Sequence, residues 1–262
     1  MDLNLTGKRA IVCGSSQGIG KAVALELANL GAQITLVARN EERLRKVQNE
    51  LAATHGQKHS YLVTDFSDPA ALEKKISEFV TGNPPTHILV NNTGGPKGGP
   101  ILEADVDEFR KAFNAHIVCN QILVQALAPG MKEERFGRII NIVSTSVRQP
   151  IRDLGVSNTI RVAVASWAKT LAGELAPFGI TVNNVLPGST NTDRIHSLIE
   201  FRAKTSGTST EEVARWMRGE IPVGRFAEPA EIASAIAFLA SPAASYITGV
   251  SLAVDGGRTT AL

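Results

Sequence analysis

The stretch Ile11-Val12-Cys13-Gly14-Ser15-Ser16-Gln17-Gly18-Ile19-Gly20 decides the fold. A short run, Arg9 to Val12, precedes the glycines, and a helical pattern follows them to about Leu30. A strand that turns through glycines into a helix aims several backbone N–H groups at one spot. The positive end of the helix dipole reaches the same spot, which therefore suits a phosphate. Gly14 fits the tight turn, while Gly18 and Gly20 leave room for a pyrophosphate and for close packing of helix on sheet. Gly14, Ser15, Ser16, Gln17, Gly18, Ile19 and Gly20 are the candidate cofactor contacts here. A glycine-rich turn without a ligand fits the same residues, so the rest of the chain has to decide.

Outward from this stretch, strands and helices alternate. Lys8–Cys13 reads as a buried strand and Gly18–Leu30 as an amphipathic helix closed by Gly31. Gln33–Ala38 is a second strand, followed by a charged helix from about Glu41 to Thr54. His59–Thr64 is a third strand, and Asp68-Pro69 opens a third helix with proline at its first position. The strand His87–Asn91 follows, then a helix over Glu103–Glu134, the strand Arg138–Val143 and a helix over Leu154–Ala176. Thr181–Leu186 is a sixth strand, Pro229–Ala240 the final helix and Val250–Val254 the last strand. This rhythm predicts an α/β protein, a Rossmann-type doubly wound seven-stranded parallel sheet, as a single domain over residues 1–262. Ser189 to Arg225 is too long for an ordinary connection. It holds the flexible run Thr205–Ser209 and a short helix at Glu211-Glu212, and it follows a strand's C-terminal end. We read 189–225 as a mobile flap over the site.

Composition narrows the function. A chain of 262 residues that is 43% apolar buries a full core. The net charge of +2 is spread over both signs, without a basic stripe for nucleic acid. No apolar run is long enough to span a bilayer, and residues 1–9 lack a secretory core, so a cytoplasmic protein is the expectation. Two cysteines, Cys13 and Cys119, make neither a disulfide framework nor a metal cluster, and no metal is expected.

With these elements in order, the sequence resembles the short-chain dehydrogenase/reductase family along essentially the whole chain, and its ending Ile247-Thr248-Gly249 and Val254-Asp255-Gly256-Gly257 resembles that of the 3-oxoacyl-carrier-protein reductases. The Gly14/Gly18/Gly20 spacing matches the family's glycine loop. Asp65, with Phe66 beside it, matches the residue that holds adenine. Asn91-Asn92-Thr93-Gly94 is similar to the family's Asn-Asn-Ala-Gly turn. Pro187-Gly188 followed by Thr192 resembles the loop that takes the nicotinamide amide. The resemblance implies that Asp65, Phe66, Asn91, Thr93, Gly94, Pro187, Gly188 and Thr192 join the glycine loop in holding a dinucleotide. It also implies a homotetramer. Cofactor choice follows from charge. An acidic residue ending the second strand would repel a 2′-phosphate, whereas this chain has Ala38-Arg39-Asn40, and Arg39 offers a cationic fork. NADP is favoured, with NAD as the alternative.

The resemblance breaks at the chemistry. The family uses a serine, a tyrosine, a lysine four residues beyond it and an assisting asparagine. Ser144 fits the serine. The family's spacing then places Ser157 at the tyrosine, Arg161 at the lysine and His116 at the asparagine. Tyr61 and Tyr246, the only tyrosines, lie elsewhere in the chain. Serine is far less acidic than tyrosine, and arginine does not give up its proton. His116 is a candidate general acid because imidazole titrates near physiological pH, against the alternative of a satisfied core histidine. Arg148, Arg152 and Asp153 lie in the loop beyond Ser144, and two arginines there suggest an acidic substrate.

The reading is an NADP-dependent oxidoreductase that transfers hydride between nicotinamide and a carbonyl or alcohol by a non-standard proton donor. Ser144, Ser157, Arg161 and His116 are its candidate catalytic residues, and Arg161, which can hold a ribose hydroxyl, is a candidate cofactor contact as well. The alternative is a catalytically impaired NADP-binding sensor or assembly protein of the same fold.

Overall fold

The computed structural model describes residues 1–261. Seven strands form one parallel sheet: β1 (Arg9–Cys13), β2 (Gln33–Ala38), β3 (Ser60–Val63), β4 (Ile88–Asn91), β5 (Gly137–Ile142), β6 (Ile180–Pro187) and β7 (Ser251–Val254). Their order is β3-β2-β1-β4-β5-β6-β7. The order reverses between β1 and β4, and such a reversal leaves a crevice beyond the strands' C-terminal ends. Alternate residues along each strand point to opposite faces. On one face, Val12, Leu36, Val90 and Ile140 pack beneath α1 (Gly18–Asn29), α2 (Glu41–Glu50) and α9 (Pro229–Ala240). On the other, Ile11, Val37, Leu89, Ile139 and Val182 pack beneath α3 (Pro69–Gly82), α5 (Cys119–Glu133) and α6 (Gly155–Leu175). Both faces are covered, which is why the central strands are mostly apolar on either side. Among the described residues, no helix is long and apolar enough to cross a membrane.

Local chemistry sets the helix boundaries. Asp68 accepts a hydrogen bond from the Ala71 N–H at 3.0 Å, with Pro69 at the first helical position of α3. The second helix stops at Glu50 rather than near Thr54, because Leu51 turns to extended backbone and is buried in the core. The helix expected over Glu103–Glu134 is divided. Asp105 caps α4 (Val106–Phe113), a π-turn occupies Asn114–Val118, and α5 then begins at Cys119. The wider turn changes the phase of the helix, so that His116 is buried together with Cys119 and Leu123.

Within 189–225 the structure has two helices, α7 (Asp193–Ser206) and α8 (Thr210–Gly219). The run Thr205–Ser209, expected as a flexible link, is a helix end and a tight turn. Gly207, at φ +69°, ends α7, and a Ser209–Glu212 capping box starts α8. Ile195, Ile199, Ala203, Val213, Ala214 and Met217 form an apolar seam of their own between the two helices.

A chain of side-chain amides crosses the sheet just before its C-terminal edge. Asn91 Nδ2 donates to Asn141 Oδ1 at 2.9 Å, Asn141 Nδ2 to Asn184 Oδ1 at 3.0 Å, and Asn184 Nδ2 to Ser251 Oγ at 3.2 Å. These residues are direct partners across β4, β5, β6 and β7, and Asn141 is 1% exposed. Asn141→Ala leaves one buried donor and one buried acceptor without partners, each costing about 1–3 kcal/mol. Urea unfolding should show a loss of about 2–6 kcal/mol. A loss near that of an exposed Asn→Ala change would contradict the ladder's role.

Candidate functional site

The β1–α1 turn lies at the crevice. Gln17, the N-cap of α1, makes no capping bond with its side chain, so the first N–H groups of the helix stay available to an anion. The glycines are set by close approach. A Cβ on Gly20 would stand 2.2 Å from the Gly14 carbonyl oxygen, and one on Gly14 would stand 2.6 Å from that of Asn92. Gly18 faces the loop after β6, since a Cβ there would lie 3.3 Å from Thr192 Cγ2. Gly14–Gly20 and Pro187–Thr192, far apart in sequence, therefore meet across the crevice.

Two of the expected cofactor contacts have other work for their side chains. Ser15 is fully buried, and its Oγ accepts from the Val37 N–H at 2.9 Å, fastening the turn to β2. Asn91 is 3% exposed, and its amide belongs to the ladder. Both side chains turn into the sheet, and only the buried Asn91 Oδ1 is left without a partner. Phe66 is half-buried, and its carbonyl accepts from the Cys119 thiol at 3.3 Å. Arg39 is exposed at the end of β2, and only a loose 3.8 Å contact ties it to Asp65. Arg43, which was not singled out in the sequence, donates to Gln17 Oε1 and adds a second cation beside the glycine loop. Asn40 caps α2 by accepting from the Arg43 N–H at 2.9 Å, which fixes residue 43 in the first turn of that helix.

The ends of β4 and β5, the π-turn and α6 converge on Arg161. This side chain is buried, and it donates from Nη1 to the Ile142 carbonyl at 2.9 Å and from Nη2 to the Thr93 carbonyl at 3.5 Å. Among the described residues no carboxylate lies within 4 Å of it. Burial, helped by the nearby Arg194, pushes its guanidinium down to about 10, so it stays charged at neutral pH. Ser157 stands one turn earlier on α6 and is also buried. Ser144 follows β5, and its Oγ accepts from the Ser146 N–H at 3.1 Å, starting a short 3-10 turn over Thr145–Val147.

His116 is 2% exposed, and its Nδ1 pairs with the Thr93 hydroxyl. Burial, and then the Arg161 charge, push its imidazole down to about 3. The expectation of a group titrating near physiological pH is not met, because the ring is neutral there. The two tyrosines lie outside the site. Tyr61 on β3 bonds Glu41 and Arg45, and Tyr246 is fully exposed. In the loop after Ser144, Arg148 reaches toward β7 and bonds the Ser251 carbonyl at 3.3 Å. Arg194, in the first turn of α7, is the cation that approaches Arg161 instead, and nothing in its local sequence marked it.

Known proteins share this chain's sequence pattern and fold. The family described as enoyl-(acyl carrier protein) reductase matches residues 14–259. The NADPH-dependent reductase BacG of Bacillus subtilis is 32% identical, over 97% of this chain and 98% of its own. The 3-oxoacyl-[acyl-carrier-protein] reductase FabG of Vibrio cholerae is 35% identical, over 97% and 98%. The crystal structure of L-sorbose reductase from Gluconobacter frateurii, complexed with NADPH and L-sorbose, superposes with a TM-score of 0.92 at 31% identity, covering 100% of both chains.

The state of His116 can be read directly. The folded chain resists protonating this ring and the unfolded chain does not, so the ring's contribution to stability falls as pH drops from about 6.5 toward about 3. Histidine ring ¹⁵N shifts should show His116 neutral throughout the range from about pH 5 to about pH 8. A midpoint near the ordinary histidine value would contradict the buried, Arg161-facing environment.

Proposed function

The chain belongs to the short-chain dehydrogenase/reductase family, and we propose that it is an NADP-dependent oxidoreductase acting on a carbonyl or alcohol. The observation that carries this reading is the uncapped first turn of α1, with Thr192 set against Gly18 at the point where the strand order reverses. The N–H groups of residues 16–20 would take the pyrophosphate. Arg39, with Arg43 beside it, would take a 2′-phosphate, and no carboxylate ends β2 to repel one. Asp65 and Phe66 would border the adenine. Thr93 and Gly94 would line the crevice, and Pro187, Gly188 and Thr192 would take the carboxamide.

NADPH held by these residues would supply hydride, two electrons with a hydrogen nucleus, for the carbonyl carbon. Ser144 Oγ donates a hydrogen bond to the carbonyl oxygen. As the C=O π pair moves onto that oxygen, the fixed charge of Arg161 stabilises it. Water delivers the proton that completes the alcohol. Ser157 takes the place that the family gives to tyrosine and is too weak an acid for that step, and His116 is held neutral. The α7–α8 unit within 189–225 acts as the flap over the substrate.

One observation favours a second reading, a cofactor-binding sensor or assembly protein: both tyrosines lie outside the site. Fluorescence titration and an oxidation assay separate the two. NADPH should bind at least ten times more tightly than NADH, and Arg39→Ala should remove most of that preference, as one charge-assisted phosphate contact is worth about 1.5–3 kcal/mol. NADPH should then be consumed with at least one member of a panel of ketones, aldehydes and acyl thioesters. Tight binding without turnover on any of them would favour the sensor.

A further inference from the structure

Arg161 is a cation that is 9% exposed, with only two backbone carbonyls as its partners. Those carbonyls fix the direction of the guanidinium without neutralising it. A buried charge without a counter-charge is costly, and a second like charge beside it adds to the cost. Yet the fold brings one there. Arg194 reaches from α7 across the loop after β4 and donates to the Pro96 carbonyl at 2.9 Å. Both side chains border the same spot. A Cβ placed on Gly95 would lie 3.7 Å from Arg161 Nη2 and 3.6 Å from Arg194 Nη2. Neither arginine has a carboxylate within 4 Å among the described residues, whereas Arg218, Arg225 and Arg258 are each paired with a glutamate at 2.7–3.1 Å. Gly95 contributes no side chain, so a side chain there would occupy the position that both guanidinium groups border.

Two guanidinium forks around an open position match the planar, bidentate geometry of a carboxylate. We propose that the substrate of this chain carries a carboxylate, held between Arg161 and Arg194 beside Gly95. This rests on the oxidoreductase reading of the same site and adds the substrate class to it. It also moves acid recognition away from Arg148 and Arg152, which the sequence suggested. Arg161 then serves twice, since its charge faces both the carboxylate and the oxygen on which negative charge develops. The phosphates of the cofactor share this anionic chemistry, so the test has to separate the two sources.

Pyruvate, acetoacetate and levulinate, each compared with its methyl ester, place a carboxylate at three distances from a ketone. Calorimetry reads their binding to the NADP⁺ complex, and fluorescence reads NADPH affinity, for the wild type, Arg194→Gln and Gly95→Leu. Arg194 is exposed and Gly95 has ordinary backbone geometry, so both variants should fold. At least one acid should bind more tightly than its ester. Arg194→Gln should weaken that acid about 10- to 100-fold, as expected for one charged hydrogen-bonding partner. Gly95→Leu, which fills the space and leaves both charges, should weaken it as well, while NADPH affinity changes less than about twofold in Arg194→Gln. Acids that bind no better than their esters would overturn the proposal. So would an Arg194→Gln variant that loses NADPH affinity tenfold and keeps the acid preference, which would assign the pair to cofactor phosphate. Acid binding together with no NADPH oxidation by any of these acids or any member of the ketone, aldehyde and acyl thioester panel would leave the carboxylate site standing and remove the oxidoreductase reading instead.

Discussion

A guanidinium buried without a counter-charge organises the far end of this sheet. Arg161 rises from α6 into the gap between the ends of β4 and β5 and takes the Ile142 and Thr93 carbonyls as its partners. Those two bonds hold the strand ends and the helix in a fixed relation around the crevice. The same charge acts on its neighbours. It helps keep His116 neutral, and it leaves the Thr93 hydroxyl as that ring's partner. A lysine would place a compact charge here with three rotatable donors. Arginine presents a fixed planar fork and keeps its proton, so the site acquires a permanent electrostatic anchor in place of a group that can exchange protons.

Binding and chemistry are thus written in separate parts of the chain. The turn at Gly14–Gly20 and the loop at Pro187–Thr192 come together because the sheet changes direction between β1 and β4, an arrangement that depends on backbone more than on side chains. The proposed chemistry depends instead on Ser144 and Arg161, where single side chains decide what is feasible. A chain can therefore keep the first intact and rebuild the second.

The sequence made much of this legible, for a physical reason. Strands covered on both faces are mostly apolar, so Ile34–Ala38 and Ile139–Val143 are readable as runs despite Thr35 and Asn141, and capping residues such as Asp68 mark where helices begin. Hydrophobic period could not reveal the π-turn at Asn114–Val118, because one extra residue in a turn leaves both flanking patterns intact. The flap looked flexible because Thr205–Ser209 is polar, yet a polar run also supplies a glycine stop and a serine cap. Side-chain direction was the other hidden quantity. Ser15 and Asn91 sit within cofactor motifs but turn into the sheet, while Arg43 and Arg194 reach the site from helices whose sequences look like ordinary charged surface.

If charge stabilisation by Arg161 replaces a titrating acid, hydride transfer has no protein group to titrate between His116, at about 3, and Arg161, at about 10. The direct measurement is the pH dependence of kcat for NADPH oxidation with a reducible carbonyl from the panel. The profile should be flat from about pH 5 to about pH 9. A limb with an apparent pKa inside that range would reveal a protein acid or base at work and would contradict the role given to Arg161.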